Sequence, residues 1–321
     1  MATGVVTDFV IRDQQYNAGL MGTVTQNINA FNAGSAGTMV LSASPEEGDY
    51  TKTRFFERIT TLITRRVTGV GALTGAPITM SENISVKCKR KVGPIEQTID
   101  SWRSMNVDPS RFSALLGSYV GEEMTKEMLN AAVNAVEGAL SGETALIHDY
   151  TTTGTLAHAP LVTGLSKFGD AAGRIKAWVG HSKPFYDLMG ASLSANGNVA
   201  DFVIFNGVVG SINRPFVVTD SSYLLITGSP DAYVTLGLVP AAVKITITDA
   251  PFFVTDRVSG VENMYDRFQG EYSFNVEVKG YQWDTTNGGA NPTDAALGTS
   301  TNWDEILTND KDKAGVYVKT D

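Results

Sequence analysis

Between Asp108 and Gly142 the apolar residues recur at helical spacing. Phe112, Leu115, Leu116, Tyr119, Met124, Met128, Ala132, Val136 and Leu140 define one face. Glu122, Glu123, Lys126, Glu127, Asn130, Asn134 and Glu137 define the other. Asp108 is placed to cap, Pro109 takes the first helical position and Gly142 follows the end. One helix is predicted, spanning roughly 45–50 Å at about 1.5 Å per residue. Gly117 and Gly121 weaken it locally and leave room for a bend. The period falls to two at Glu271–Trp283, where Tyr272, Phe274, Val276 and Val278 alternate with Ser273, Asn275, Glu277 and Lys279. Ile84, Val86 and Cys88 alternate with Ser85, Lys87 and Lys89, the pattern of a half-solvated strand. With the β-prone run Ile59–Val70 and the glycine-rich centre GVGALTGAP, they predict a hairpin. Two strands alone are marginal, so this hairpin must lean on something.

Arg174–Val179 suits a buried strand, and Phe185, Leu188 and Met189 follow at helical spacing after Ser-Lys-Pro. Two strand-like runs come next, with Pro215 at the head of the second, so residues 174–223 read as a β-α-β-β unit. The stretches YLLITGS, AYVTLGLV and VKITITD add further strands. Ile147–Gly173 is loop-rich with one short helix, and Asp249–Gly270, mixed and acidic, reads as a surface excursion. In the first 48 residues Phe9, Ile11, Leu20, Val24, Ile28 and Phe31 are scattered without a sustained period. Such a segment is expected to lie loose or across another surface, with no core of its own. The predicted class is α+β, with segments 1–48, 49–103, 104–146, 147–265 and 266–321.

At 321 residues the chain is long enough to bury a large core. The net charge of −9 argues against a dedicated nucleic-acid binder. Against that acidic balance, residues 49–103 gather Lys52, Arg54, Arg58, Arg65, Arg66, Lys87, Lys89, Arg90, Lys91 and Arg103. A basic hairpin on an acidic protein is suited to meet carboxylates on a neighbour; a solvated basic edge strand that resists aggregation is the plainer alternative. The single cysteine, Cys88, excludes an intrachain disulfide and suggests a reducing compartment. No apolar run approaches membrane-spanning length and no signal peptide opens the chain, so it is expected to be cytoplasmic where it is made.

Enzyme motifs are missing: there is no G-x-x-x-x-G-K-[ST], H-E-x-x-H, G-x-S-x-G or C-x-x-C. Gly69, Gly71 and Gly75 are expected to form a turn. His148 and His158 share a stretch with Asp149, which makes a metal site conceivable, although surface histidines are the ordinary reading. His181 beside Ser182 is thin evidence for a base and nucleophile. Cys88, pointing away from Lys87 and Lys89 on an alternating strand, is expected to be inert. Neither a cofactor nor a metal is expected.

Trp178-Val179, then His181-Ser182 and a helix with Phe185 and Leu188, then Gly210-x-x-x-Arg214-Pro215-Phe216-Val217-Val218-Thr219-Asp220, resembles the major capsid proteins of tailed bacteriophages. Lys279-Gly280-Tyr281-Gln282-Trp283 and the tail NPTDAAL…NW…AGVYVKT are similar to the same family. The resemblance implies an HK97-like fold: an N-terminal arm (1–48), an extended E-loop hairpin (49–103), a P domain with a long spine helix (104–146), an A domain (147–265) and P-domain return strands with the tail (266–321). It also implies a virion protein that assembles as pentamers and hexamers in the bacterial host cytoplasm. The shell would be icosahedral and enclose double-stranded DNA without sequence-specific binding, and no membrane is involved. Expected partners are a portal, a separate scaffolding protein and a decoration protein; the chain starts directly with arm-like sequence, where the namesake lineage carries a scaffolding segment. On this reading Arg54, Arg58, Arg65, Arg66, Lys87, Lys89, Arg90 and Lys91 are inter-subunit contacts. Lys52, Lys87, Lys89 and Lys91 are candidates for isopeptide crosslinks, which are not expected because nothing identifies the asparagine. Two other readings stand beside it. One is an encapsulin-like compartment that cages an enzyme. The other is a cytosolic hydrolase or small-ligand binder, which would need a pocket joining His181 to a carboxylate.

Overall fold

The computed structural model describes residues 13–56, 78–98, 109–152, 154–195 and 214–321, with isolated positions between 57 and 100. Two large sheets meet around one long helix. That helix, α2 (Pro109–Ser141), has 33 residues, within one residue of the predicted span. Its second half is buried almost all round: Ala131, Ala132, Val133, Ala135, Val136, Ala139 and Leu140 are each no more than 4% exposed. Its first half departs from the predicted face, because Leu115 and Tyr119 are exposed. Asn134, expected on the polar side, is buried and donates to the Asp294 carbonyl.

The N-terminal segment takes the second of its two expected forms, laid across another surface, and does so as a helix. Residues Asp13–Gly34 form helix α1, and Tyr16, Leu20 and Val24 are buried against α2. Gly117 and Gly121 serve this contact within an unbroken helix. A Cβ on Gly117 would overlap the Tyr16 carbonyl, and one on Gly19 would overlap that of Ala114. Each close approach needs a glycine on one of the two helices, where no Cβ stands between the backbones. Residues 1–12 lie outside the described residues.

The first sheet has the order β1-β9-β10-β3-β2, with β1 (Met39–Ala43), β2 (Tyr50–Phe56), β3 (Met80–Thr98), β9 (Val243–Val258) and β10 (Tyr265–Val278). β1 joins β9 in parallel and the other pairs are antiparallel. One face of β3 and β10 carries Val86, Cys88, Phe274 and Val276, all fully buried. The opposite face is covered at Ser85 and Lys87, 4% and 7% exposed, and solvated at Lys89, so the half-solvated reading of β3 holds only in part. Residues 44–49 lie near it; the Glu46 carboxylate accepts from Asn275 and Thr51, and the Glu46 carbonyl from Lys87. The predicted partner strand Ile59–Val70 falls mostly outside the described residues, and Ile63, Arg65, Arg66 and Thr68 have no regular structure.

Asp249–Gly270, expected as a surface excursion, lies at the surface as regular structure, with no buried residue between 249 and 265. It is the far half of β9, a turn and the start of β10, with Phe253 and Thr255 inward and Phe252 and Val254 outward. Tyr16, Phe253 and Phe268 stack there with ring centroids 4.7–5.2 Å apart. β1 pairs β9 only as far as Ile247, and β2 pairs β3 only as far as Val86, so among the described residues the far ribbon β9-β10-β3 is open on both edges. Pro251 and Pro94 stand on those edges, each at a break in register.

The second sheet runs β4-β13-β8-β5-β6, from β4 (Ile147–Asp149), β13 (Gly315–Thr320), β8 (Ala232–Leu238), β5 (Ala177–Gly180) and β6 (Phe216–Val218); β7 (Leu225–Ile226) also pairs with β8. Helices α3 (His158–Ser166) and α4 (Ser182–Ala195) flank it. Strands β11 (Tyr281–Trp283) and β12 (Trp303–Glu305) pair beside the short helix α5 (Asp294–Leu297). The expected division at 265/266 does not follow the sheets. β9, ahead of it, pairs with β10, and β13, behind it, pairs with β8. The chain crosses between sheets through Val239–Ala242 and again through 306–314.

Candidate assembly surfaces

The hairpin begins where β2 leaves the body of the first sheet. Tyr50 opposes Val86 and Phe56 opposes Met80. Toward the tip the apolar side chains lose their cover: Phe56 is 71% exposed, Ile78 66%, Met80 58% and Ile63 94%. Phe56 and Met80 face each other across the pair with both side chains exposed, an apolar surface of the kind that marks a protein–protein contact.

The cations divide into two groups. Arg54 donates to Glu82 at 3.0 Å, and Lys52 lies 3.7 Å from the same carboxylate. Lys87 reaches Asp249 at 3.3 Å, and Lys89 pairs with Asp49 at 2.8 Å. Arg90 bonds Glu127 on α2 at 2.8 Å, also holds Asp294, and lies 5.6 Å from the Phe274 ring centroid. These residues, expected to face a neighbour, are paired within their own chain. Hydrogen bonds from Ser273 and then Lys87 hold the Asp249 carboxyl below its ordinary range. Arg65, Arg66 and Lys91 are exposed. Arg58 lies outside the described residues.

A groove of about 510 Å³ runs between the exposed turn of α2 and the far part of β3. Leu116, Tyr119 and Met124 line one wall, Val92 and Ile95 the other, with Glu123 and Lys91 among its charged lining. Nothing in the alternation of β3 announced it, because it depends on where α2 crosses the sheet.

The remaining candidates resolve as structure. His181 Nε2 lies 3.7 Å from Asp220 and its Nδ1 3.4 Å from the Ser182 hydroxyl. The Asp220 carboxyl, held low chiefly by its hydrogen bond from Ser182, ties the start of α4 to the end of β6. Burial pushes the Cys88 thiol up to about 12 and makes it inert. Burial, then Lys167, lowers His148. Among the described residues, no histidine joins a cluster with metal-ligand spacing. The residue that sequence reading missed is Lys313: 1% exposed, it meets Glu143, Glu305 and Asp310 at 2.7, 3.0 and 2.7 Å. Its only signal was a lysine opening an apolar strand.

The family model for Gp13-like proteins, described as "Major capsid protein 13-like", matches residues 8–317. The chain belongs to this family. It is a structural head-shell protein with the HK97-like fold that the sequence resemblance implied, it self-associates into a shell, and it is not an enzyme. Its place is the virion. Solved structures with similar folds include the cyanophage Pam1 capsid (13% identity, 86% of this chain and 85% of that one, TM-score 0.53). The acidic stable capsid of Helicobacter pylori bacteriophage KHP30 superposes at TM-score 0.54, with 11% identity over 90% and 89% of the two chains. The capsid of Ralstonia phage GP4 gives 0.53, with 10% identity over 88% and 87%. No curated protein matches the chain by sequence. Family membership sets aside the hydrolase and compartment readings.

Proposed function

We propose that the hairpin tip is the grip by which one capsid subunit holds the next. The exposed cross-strand pair Phe56–Met80, with Ile63 and Ile78 beyond it, carries this reading. Arg65 and Arg66 add steering toward carboxylates of an acidic neighbour, which raises the rate and selectivity of encounter more than its strength. Lys87 and Arg90 hold the base of the hairpin to the body, and Lys89 ties β3 to the start of β2. Copies joined this way form pentamers and hexamers of an icosahedral shell around double-stranded DNA. The net charge of −9 suits a wall that encloses a polyanion without binding its sequence. Assembly takes place in the host cytoplasm with a separate scaffolding protein, a portal and a decoration protein. Each contact can be modest, because several linked contacts raise effective concentration together.

The test is Phe56→Asp combined with Met80→Asp, expressed with and without a candidate scaffold and followed by mass photometry and negative-stain microscopy. Native chains are expected to give closed shells or rings, and the variant folded subunits with native circular dichroism. Closed shells from the variant would exclude the tip as the grip.

A further inference from the structure

We propose that Lys313 is a tethered cation: its ammonium fills, from within the chain, a three-carboxylate cage where α2, the β11–β12 pair and the second sheet meet, and which would otherwise take a bound cation. Glu143 follows the end of α2, Glu305 closes β12, Asp310 lies in the turn between, and Lys313 leads into β13. The Lys313 side chain is 1% exposed, and its three N–H groups have three carboxylate acceptors at 2.7, 3.0 and 2.7 Å. An ammonium carries three donors and no acceptor, so its hydrogen bonding is complete. The acceptor oxygens converge closely enough to serve one metal ion. A second observation points the same way. Tyr281, 3% exposed, pairs directly across from Glu305 in β11–β12 and keeps its hydroxyl buried without a hydrogen-bond partner. The neighbouring Gly280 lies against Lys313, where a Cβ would stand 3.1 Å from the Lys313 Cα.

The carboxylates outnumber the ammonium, so the cage is electrostatically a cation site, and hard oxygen donors of this kind suit calcium or an alkylammonium. Because the cation is covalently part of the chain, the joint between α2, the β11–β12 pair and the second sheet needs no divalent ion. Chelators should leave it intact.

The experiment uses the full-length chain and reads thermal melting. Native protein is expected to ignore both calcium chloride and EDTA. Lys313→Ala leaves the carboxylates facing one another and is expected to lose about 10 °C. Ethylammonium chloride or calcium chloride should restore part of that loss, and sodium chloride at equal ionic strength should not. Adding Glu143→Gln to Lys313→Ala should also restore part of it by relieving repulsion. If Lys313→Ala melts like the native chain, or its loss yields to none of the three, the proposal is wrong. Should Lys313→Ala not fold, the uncharged cage decides: Lys313→Met with Glu143→Gln, Glu305→Gln and Asp310→Asn. It is expected to fold at close to native stability, and its failure to fold would overturn the proposal.

Discussion

Along β3 the middle and the two ends obey opposite rules. From Asn83 to Cys88 nearly every residue is buried, lysine included, because the hydrophobic core covers one face and the Glu46 loop lies near the other. At Met80 and Ile95 the apolar side chains of the same strand are 58% and 40% exposed. Burying such a side chain is worth about 1.5–3 kcal/mol. In the inner stretch that gain goes to folding the subunit. At the two ends it is not realised within the subunit, and on the proposed function it is realised against a copy. If the proposed grip is right, one strand has a hydrophobic pattern satisfied partly at folding and partly at assembly, and the two parts can be perturbed separately.

The sharpest break comes at the inner end. Gly117→Leu drives a side chain into the α1 backbone, which has no flexible group to yield. A loss above about 4 kcal/mol is expected, read as insoluble protein or a collapsed melting transition. A soluble variant with native melting would show that α1 is not fixed to α2 by this seam. Next in size is Arg90→Met, which leaves Glu127 and Asp294 without their cation where β3 meets α2. About 2 kcal/mol should be lost by urea unfolding, since hydrogen bonds to charged groups carry about 1.5–3 kcal/mol. No change would place the hairpin's anchor elsewhere.

The second sheet supplies a reference that involves neither stretch. His148 on β4 is lowered from its ordinary 6.5 by burial and by Lys167. Below that value the unfolded chain binds more protons than the folded one. Its contribution is complete above about pH 6.5 and is lost as pH falls through the folded value. His148→Phe should flatten the acid limb of a melting-temperature profile, and an unchanged limb would assign acid sensitivity to other groups. The smallest effect on stability belongs to the outer stretch. Phe56→Ser should alter subunit stability by no more than about 0.5 kcal/mol while reducing shell yield. A large stability loss would mean that Phe56 serves the fold after all.

What the sequence disclosed follows from how local each signal is. The ends of α2 were marked by Pro109 and Gly142, and β10 by clean alternation, so both were legible. Helix α1 was not. Tyr16, Leu20 and Val24 keep a helical interval, but asparagine, glycine and threonine between them dilute the stripe and lower helix propensity. Sheet membership of β9 and β13 was hidden because strand partners are chosen by non-local packing. The hairpin was visible as a basic segment, yet charge alone did not separate Arg54, Lys87, Lys89 and Arg90, which find carboxylates at home, from Arg65 and Arg66. The Lys313 cage was beyond reach, its acceptors lying at positions 143, 305 and 310.

The two prolines on the open ribbon deserve a last consequence. A shell protein is synthesised in many copies at once, and crowded unpaired strands recruit one another into fibrils. Pro94 and Pro251 remove a donor from each free margin, at places where the register is already broken. A stray strand therefore finds no continuous template there, and faulty assembly of this subunit should yield misshapen shells, tubes and open fragments in preference to amyloid.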